Sequence, residues 1–599
     1  MEIISISDVI NLIFRQINLF LYRTHFILIN HLLRKKRKYY ILIAGLLLLQ
    51  YPGLLSAQNS VASDRAEKKG FFSSLRVSGD IQTDMLMAQT DSVINAFAGD
   101  NMFKSNSYLR LSVRNKYLEA GVRGEYMKNP LPGFESDFAG SGIANAYIRM
   151  RYKVLDVTAG DFYDQFGSGL VFRTYEDRAL GLDNSLRGGR IILYPFEGLT
   201  VKVLGGNQRY YFEKRKGALF GANVEMMFDE WVPFLGKNDY RVRLETSFAD
   251  KYEPDELIMY DADYKLNLPE YVPAASGKLT IQKGGLDMFV EYARKWNDPA
   301  FENNYIYKNG NSLLVSASYS KPGFSVLAQV KRNENMSFRS ERSLSGSPLA
   351  LNINYMPPFS MQHTYTLAAL YPYATQKLGE WAFQNEWRYK ARKSTLLGGR
   401  YGTDFHLSFS HIRPLCNTEK EIINTKGSTG YKPLFFETGD EVLYQDLTMD
   451  VTKKINPAIT LTAMYVNQIY NQQKIEKEAT NGAIVYSHIF ITDTKIKINP
   501  KISLRTELQY LYTRQDEGDW VFGMLECSLF SNWIISVADT YNSGVTKLHY
   551  PKISSTYSYK AHRLQLGYGR TREGINCSGG VCRLVPASKG WSLTYNFNF

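Results

Sequence analysis

Long apolar runs and helical periodicity are nearly absent from this 599-residue chain after its first 57 residues. A membrane-spanning helix needs about 20 consecutive apolar residues. The mean hydropathy of −0.29 does not indicate a protein built from such helices. The scarcity of both signals therefore disfavours helical bundles and helical membrane proteins, and it leaves β structure as the main alternative.

Short catalytic motifs are also lacking. The chain contains no Gly-x-Ser-x-Gly turn, no His-Glu-x-x-His motif and no phosphate-binding Gly-Lys-Ser/Thr loop. The formal net charge of +13 is weak evidence for a nucleic-acid partner, because the basic residues alternate with acidic ones. We therefore predict no enzyme, no cofactor, no metal site and no nucleic-acid partner.

Cysteine is scarce, with four residues at positions 416, 527, 577 and 582. The last two frame the motif Cys577-Ser578-Gly579-Gly580-Val581-Cys582, in which the glycines permit a tight reversal of the chain. We predict a Cys577–Cys582 disulfide, with free thiols as the alternative. A zinc site is disfavoured because the spacing is wrong and no histidine lies nearby.

The N-terminus has the order of a secretory signal peptide. Basic residues 34–38 precede the apolar run Tyr39 to Leu49, and Leu55-Ser56-Ala57 offers a small residue for cleavage. The alternative is a membrane anchor, for which the run is short. We expect residues 1–57 to be an over-extended translation start plus a cleaved signal peptide, residues 58–70 a flexible leader, and residues 71–599 the folded domain.

The folded domain shows alternating apolar and polar residues from end to end. The last nine residues, Trp591 to Phe599, carry aromatic or apolar side chains at every odd position and Ser, Thr or Asn at every even one. Successive side chains on a strand point to opposite faces. In earlier segments such as Leu118 to Tyr126 the polar face is charged, which suits a barrel lumen better than a sandwich core. The pattern predicts one large antiparallel transmembrane β-barrel.

The closing segment resembles the C-terminal strand of Gram-negative outer-membrane barrels, which ends in Phe and is read by the barrel-insertion machinery. Trp591, Tyr595, Phe597 and Phe599 would form that insertion signal. The segments Gly160 to Gly169 and Arg583 to Gly590 resemble those of a large barrel family of unknown function. These resemblances imply an outer-membrane location, with lipids and the insertion machinery as partners, and they imply no activity.

The strand count has to be even if both termini lie in the periplasm. Counting the weak segment Leu349 to Tyr355 as a strand predicts about 26 strands, and 24 is the alternative. Connections alternate between short turns, expected in the periplasm, and longer polar loops, expected outside the cell. The polar stretch 413–440 then lies outside.

Two groups of charged residues are candidate functional features. The long loop Asp164 to Arg190 is predicted to fold into the lumen as a constriction, with ordinary surface ion pairs as the alternative. Its candidate residues are Arg173, Glu176, Asp177, Arg178 and Arg187. A basic ladder that guides anionic solutes is the second candidate, with salt-bridged wall packing as its alternative. The ladder comprises Arg110, Arg114, Arg123, Arg149, Arg151, Arg241 and Arg243.

The function predicted from these features is passage of solutes across the outer membrane through a channel or transporter. The alternative is a non-transporting scaffold or subunit of an outer-membrane assembly or secretion complex. An outer-membrane enzyme ranks third. A barrel of this size leaks if it is open, so loops, a plug or a lipoprotein partner are expected to close it.

Overall fold

The structure is a computed structural model that describes residues 74–344, 349–417, 425–476, 483–578 and 581–599. The signal peptide and leader predicted for residues 1–70 lie outside the described residues. Within the described part, the predicted barrel domain begins with a strand at Arg76.

Twenty-four antiparallel strands form one closed sheet in which each strand pairs with its neighbours in the chain. In chain order they are β1 (Arg76–Ala88), β2 (Phe103–Arg114), β3 (Leu118–Met127), β4 (Gly140–Tyr152), β5 (Leu155–Phe162), β6 (Leu186–Leu193), β7 (Leu199–Tyr210), β8 (Ala218–Met227), β9 (Tyr240–Tyr252), β10 (Tyr271–Lys283), β11 (Leu286–Lys295), β12 (Gly310–Lys321), β13 (Phe324–Glu334), β14 (Gly379–Ala391), β15 (Thr403–Arg413), β16 (Tyr444–Lys454), β17 (Ile459–Asn471), β18 (Ile484–Asn499), β19 (Ile502–Tyr512), β20 (Trp520–Leu529), β21 (Trp533–Asn542), β22 (His549–Tyr559), β23 (His562–Thr571) and β24 (Ser588–Asn598).

The barrel closes where β24 pairs with both β23 and β1. Ile81 lies opposite Phe597, and Met85 lies opposite Leu593, so apolar residues share the outward face across the seam. The backbone of Phe599 exchanges two hydrogen bonds with Gly79, at 2.9 and 3.0 Å. The predicted all-β antiparallel barrel is confirmed.

The predicted count of 26 strands is wrong, and the alternative of 24 is correct. The segment Leu349 to Tyr355 is not a wall strand. Its alternating Leu351 and Ile353 are fully buried, and the polar Asn352 and Asn354 on the other face are buried as well. Both faces are buried because the segment lies inside the lumen, where alternation no longer separates lipid from water.

The connections differ in length at the two ends of the barrel. At the short-turn end, pairs such as β12 and β13 are joined by two residues, with Gly323 at a φ of 82°. At the long-loop end lie the connections 163–185, 253–270, 335–378 and 414–443. This alternation agrees with the predicted arrangement, and the described residues of the stretch 413–440 fall at the long-loop end.

The remaining elements are small. Outside the wall, Glu176–Asp177 pairs with Leu182–Asp183, Leu415–Asn417 with Pro433–Thr438, and Gly574–Ser578 with Val581–Val585, while Glu213–Lys214 pairs antiparallel with the end of β7. The described helices are Phe228–Trp231, Pro233–Lys237, Gln472–Ile475 and the single turns Ser92–Ile94, Ser136–Phe138, Phe301–Asn303 and Leu349–Leu351. None of the helices in the described ranges has the length and apolar character needed to cross a membrane.

The outer surface of the wall carries an exposed apolar band between two sets of aromatic residues. Aliphatic side chains point outward at mid-strand, among them Ile148, Val203, Val290, Val315, Leu508, Leu525, Val537, Ile553 and Leu566. Exposed Tyr and Trp flank this band, with Tyr152, Trp231, Tyr389 and Trp533 towards the short-turn end and Tyr126, Tyr271, Trp296 and Tyr486 towards the long-loop end. Aromatic belts of this kind are typical of the two interfaces of a bilayer.

Candidate functional site: a plug of two inward loops

The first inward loop, residues 163–185, leaves β5 and turns into the barrel before the chain returns through β6. Its apolar side chains Phe166, Leu170, Val171 and Phe172 are fully buried in the main hydrophobic core. Gly167 and Gly169 have φ values of 53° and 95°, so the reversal uses the left-handed conformations that glycine adopts without strain. The loop is therefore a packed element of the lumen.

The first inward loop is held at both sides of the barrel. The Gly167 amide donates a hydrogen bond to Glu245 on β9 (2.7 Å), and the Ser168 amide donates to Glu291 on β11 (2.9 Å). On the other side, Arg178 donates to Gln82 of β1 (2.9 Å) and lies 3.3 Å from Asp80. The loop thus crosses from one part of the wall to another.

Buried ion pairs anchor the loop to the wall behind it. Arg123 of β3 lies 2.7 Å from Glu176 and 2.9 Å from Glu125, and it also donates to Asp183. Arg209 of β7 pairs with the same Asp183. Burial acts to raise the pKa of the Asp183 carboxyl, but the two guanidinium groups outweigh it and hold the pKa below its ordinary value.

The other candidate residues of this loop have different roles. Arg173 forms no ion pair in the described structure; its guanidinium lies between the rings of Tyr175 and Tyr355, at 4.5 and 4.0 Å. Asp177 accepts hydrogen bonds from the amides of residues 179 and 180 and so orders a turn. Arg187, on β6, pairs with Asp161 at 2.6 Å.

The second inward loop, whose described residues are 335–344 and 349–378, was not predicted as a site. It lies across the lumen against the opposite wall. His363 contacts Asp446 of β16 (2.7 Å), and the amide of Leu367 donates to Gln509 of β19 (2.8 Å). Lys331 of β13 donates to the Pro357 carbonyl at 2.6 Å. The sequence signal was the Leu349 to Tyr355 alternation, which predicted a strand instead.

The two inward loops bind each other through backbone and amide groups. The Arg173 amide donates to the Ile353 carbonyl (2.8 Å), and the Tyr355 amide donates to the Gly169 carbonyl (2.9 Å). Asn354 donates to the carbonyl of Leu170 at 3.0 Å. Together the loops form one body, which we call the plug, and it occupies the long-loop half of the lumen.

The predicted basic ladder consists mostly of ion-paired residues. Arg110 pairs with Asp80 (2.6 Å), Arg151 with Glu119 (2.9 Å) and Arg243 with Glu225 (3.1 Å). Arg123 is paired as described above, and Arg149 pairs with Asp156. Arg114 and Arg241 are exposed. Five of the seven ladder arginines are therefore ion-paired, as expected from the alternative of salt-bridged packing in the wall.

A disulfide joins Cys577 and Cys582 across the small hairpin at the long-loop end, and Cys416 and Cys527 are free thiols. Trp591, Tyr595 and Phe597 lie on the outward face of β24, and the Phe599 ring stacks on Phe597 at 5.3 Å.

Cavities large enough to hold water remain at the long-loop end of the plug and at its short-turn end. A cavity of about 1050 Å³, which we call the outer cavity, lies between plug residues 370–378 and the loops that follow β19 and β23. Its β19–β23 end carries Glu476, Asp516, Glu517, Arg572 and Glu573. Burial, Asp516 and Glu573 raise the pKa of Glu517, and Arg572 only partly opposes them.

The short-turn half of the lumen is charged and partly open. One cavity of about 510 Å³ is lined by Lys321, Arg388, Lys390 and Asp404 among others, and another of about 250 Å³ is lined by Arg110, Glu119 and Arg149 among others. In the described residues, no group of three or more His, Cys, Asp or Glu side chains is arranged to hold a metal ion.

Residues 37–599 match the model of a protein family whose function is unknown. The chain belongs to the family of unknown function DUF6029. No curated protein matches it. Membership of DUF6029 therefore supplies no activity, substrate or partner.

Several solved structures of large barrels are similar to this DUF6029 chain. The copper transporter OprC aligns with 88% of this chain and 83% of its own at 7% identity and a TM-score of 0.36. The ferric enterobactin receptor PfeA of Pseudomonas aeruginosa, as a double mutant, aligns with 87% and 80% at 9% identity and a TM-score of 0.37. The translocation pore of the P pilus usher PapC aligns with 88% and 99% at 8% identity and a TM-score of 0.41. These scores carry no argument about function.

Proposed function

We propose that this protein is an outer-membrane channel or transporter for solutes that is kept closed by its own plug. The observation that carries the proposal is which half of the lumen is filled by packed loops and which half is open. The long-loop half holds two packed loops, and the short-turn half holds charged side chains around open space. A passage that is open at one half and closed by loops at the other is the arrangement of a gated channel.

Placement in a membrane is supported by the outer surface. Exposed apolar side chains at mid-strand would be costly in water over an area this large, and the Tyr and Trp residues beside them suit a lipid–water interface. We therefore propose the outer membrane as the location and its lipids as the surrounding partner. Recognition of β24 by insertion machinery stays a prediction, which the yield of heat-modifiable barrel from Phe599→Ala can check.

Closure by the plug is supported by its anchoring on separate parts of the wall. Attachments on β1, β3, β7, β9 and β11 hold the first inward loop, and attachments on β13, β16 and β19 hold the second. A loop held at several points around the wall obstructs the lumen far better than a loop that is free at its tip. Movement of the plug is then the step that opens the passage.

The test is single-channel conductance of purified, heat-modifiable protein in planar bilayers. We expect little current from the parent and a large increase when residues 167–181 are deleted, because that deletion removes the core of the first inward loop. Arg173→Ala together with Arg178→Ala should give a smaller increase. Deletion of residues 257–264, which are mostly exposed and lie in the loop between β9 and β10, is the control and should leave the current unchanged.

A non-transporting scaffold is the second candidate, and the dryness of the plug core is the observation that favours it. Phe166, Leu170 and Val171 have no exposed surface, and such complete burial is expected of an interior that stays permanently closed. A folded barrel that stays silent both before and after deletion of residues 167–181 would contradict the channel proposal and support the scaffold.

A further inference from the structure

The two ends of the barrel wall differ in charge. At the long-loop end, the connection 253–270 carries six acidic residues and a single lysine. At the short-turn end, the five connections from β10 to β19 contain no acidic residue, and none directly flanks them. The acidic residues of the short connections lie only between β6 and β9. Seven cations lie in the five connections or directly beside them, and we call them the basic rim: Lys283, Lys321, Arg392, Lys393, Arg400, Lys454 and Lys501.

The cations of the basic rim are exposed and unpaired. All seven residues are exposed to solvent, and within the described part of the chain none of them forms an ion pair. The nearby Lys390, by contrast, pairs with Asp404 at 3.0 Å. Ammonium and guanidinium groups without a carboxylate partner keep their hydrogen-bond donors available for an anion from outside the chain.

Several of these cations lie against the aromatic belt of the outer surface. The Lys283 ammonium lies 3.9 Å from the centre of the Tyr240 ring, and the Lys321 ammonium lies 5.8 Å from that of Phe324. Phe324 is the register partner of Tyr389, a belt residue that is 49% exposed. The cations therefore lie at the depth where aromatic residues meet the lipid–water interface, and long basic side chains favour that depth.

The connection 392–402, which we call the basic loop, adds an exposed apolar tip to the rim. Leu396 is 99% exposed and Leu397 is 61% exposed, and Arg392, Lys393 and Arg400 lie on either side of them in the chain. Fully exposed leucines next to unpaired cations match a phospholipid layer, which offers acyl chains and phosphate groups side by side. A soluble acidic protein would satisfy the cations, but it would leave their position beside the aromatic belt unexplained.

We infer that the basic rim binds the phosphate groups of anionic phospholipids in the leaflet on the short-turn side, with Leu396 and Leu397 entering the acyl region. Anionic lipids are favoured over zwitterionic ones because a zwitterionic headgroup brings its own cation next to the phosphate. The inference rests on the membrane placement proposed above, and it does not depend on whether the barrel conducts.

Lipid selectivity tests the rim. Full-length, heat-modifiable protein in a neutral detergent is mixed with equal amounts of phosphatidylglycerol and phosphatidylcholine of the same chain length, and bound lipids are counted by native mass spectrometry. We expect the parent to carry phosphatidylglycerol in roughly tenfold excess, and the rim variant in about twofold excess or less. The rim variant combines Arg392→Gln, Lys393→Gln, Arg400→Gln and Lys454→Gln.

A matched control removes the same net charge at the other end of the barrel. It replaces four exposed lysines in the long-loop connections and should keep the lipid preference of the parent. The control variant combines Lys128→Gln, Lys216→Gln, Lys474→Gln and Lys547→Gln.

A second measurement locates the apolar tip. In a Cys416→Ser, Cys527→Ser background, Leu396→Cys is labelled with an environment-sensitive fluorophore and reconstituted into vesicles that contain phosphatidylglycerol. The emission should shift to shorter wavelength, and phospholipid brominated on its acyl chain should quench it. Leu257→Cys is the control, because Leu257 is 74% exposed in the connection 253–270 at the long-loop end. Its label should stay in water and escape the quencher.

Equal lipid preference in the parent and the rim variant would overturn the inference. Equal losses in the rim and control variants would do so as well, because net charge alone would then explain the binding. A label at position 396 that stays in water would overturn it in favour of a soluble acidic partner. Failure of the channel proposal is separate, since a barrel that prefers phosphatidylglycerol but stays silent without residues 167–181 contradicts only transport. A plug-deleted barrel that conducts but shows no preference contradicts only the lipid site.

Discussion

Lumen side chains that the plug covers and lumen side chains that it leaves open share the same strands and the same alternation, yet they meet opposite environments. Arg110 and Arg123 lie directly opposite each other on β2 and β3. The Arg123 side chain is 3% exposed and is surrounded by Glu125, Glu176 and Asp183, whereas the Arg110 side chain is 52% exposed and pairs with Asp80 alone. The wall determines which way a side chain points, and the inward loops determine whether it is dry.

The largest effect is expected from the plug core. Phe172→Ala removes a ring that is 1% exposed and 4.9 Å from the Phe166 ring. Loss of a buried Phe costs about 3–5 kcal/mol, which here should weaken the plug rather than the wall. Native-state hydrogen exchange should show faster opening of the two inward loops, and the conductance should rise.

Phe436→Ala is the control for that prediction, because the Phe436 side chain is 84% exposed in a loop at the long-loop end. Exchange and conductance should not change. If Phe172→Ala leaves exchange and conductance unchanged like the control, the apolar core does not stabilise the plug. The contrast between covered and open parts of the lumen would then not rest on burial of apolar side chains.

A smaller effect is expected from the two opposed arginines. Removing one partner of a buried ion pair costs about 3–5 kcal/mol because it leaves unpaired charge. A solvated pair contributes about 0–1 kcal/mol. Arg123→Ala should therefore lower the free energy of unfolding, measured by urea titration in lipid vesicles, far more than Arg110→Ala does. Similar losses would show that the two arginine side chains are equally solvated.

The smallest effect on the wall is expected from the disulfide. The hairpin Gly574–Ser578 with Val581–Val585 is separate from the main sheet, so Cys577→Ser with Cys582→Ser should leave the heat-modifiable barrel intact. The Arg583 guanidinium lies 3.9 Å from the Phe134 ring, and both residues line the outer cavity. Limited proteolysis should therefore cut the hairpin faster in the double variant. Loss of the folded barrel would contradict this separation.

The alternation in the sequence predicted much of the wall and part of the site. It predicted an antiparallel barrel, alternating loop lengths and the charge-dense segment 164–190. The strand count came out two too high, and one of the two extra strands was Leu349 to Tyr355, which alternates like a wall strand. Local periodicity reports that two faces differ, or that a chain is extended, and it cannot distinguish a strand in the wall from an extended segment packed inside the lumen.

The sequence by itself determined which side chains share a face, because period 2 is a property of each strand alone. It also determined that the chain carries enough outward apolar and inward polar residues to close into one large barrel. Only the tertiary structure decided that the loop 163–185 and the described residues of the second inward loop meet in the lumen. Those contacts join residues more than a hundred positions apart, such as Leu170 and Asn354, and no local pattern encodes which distant partner a backbone group will find.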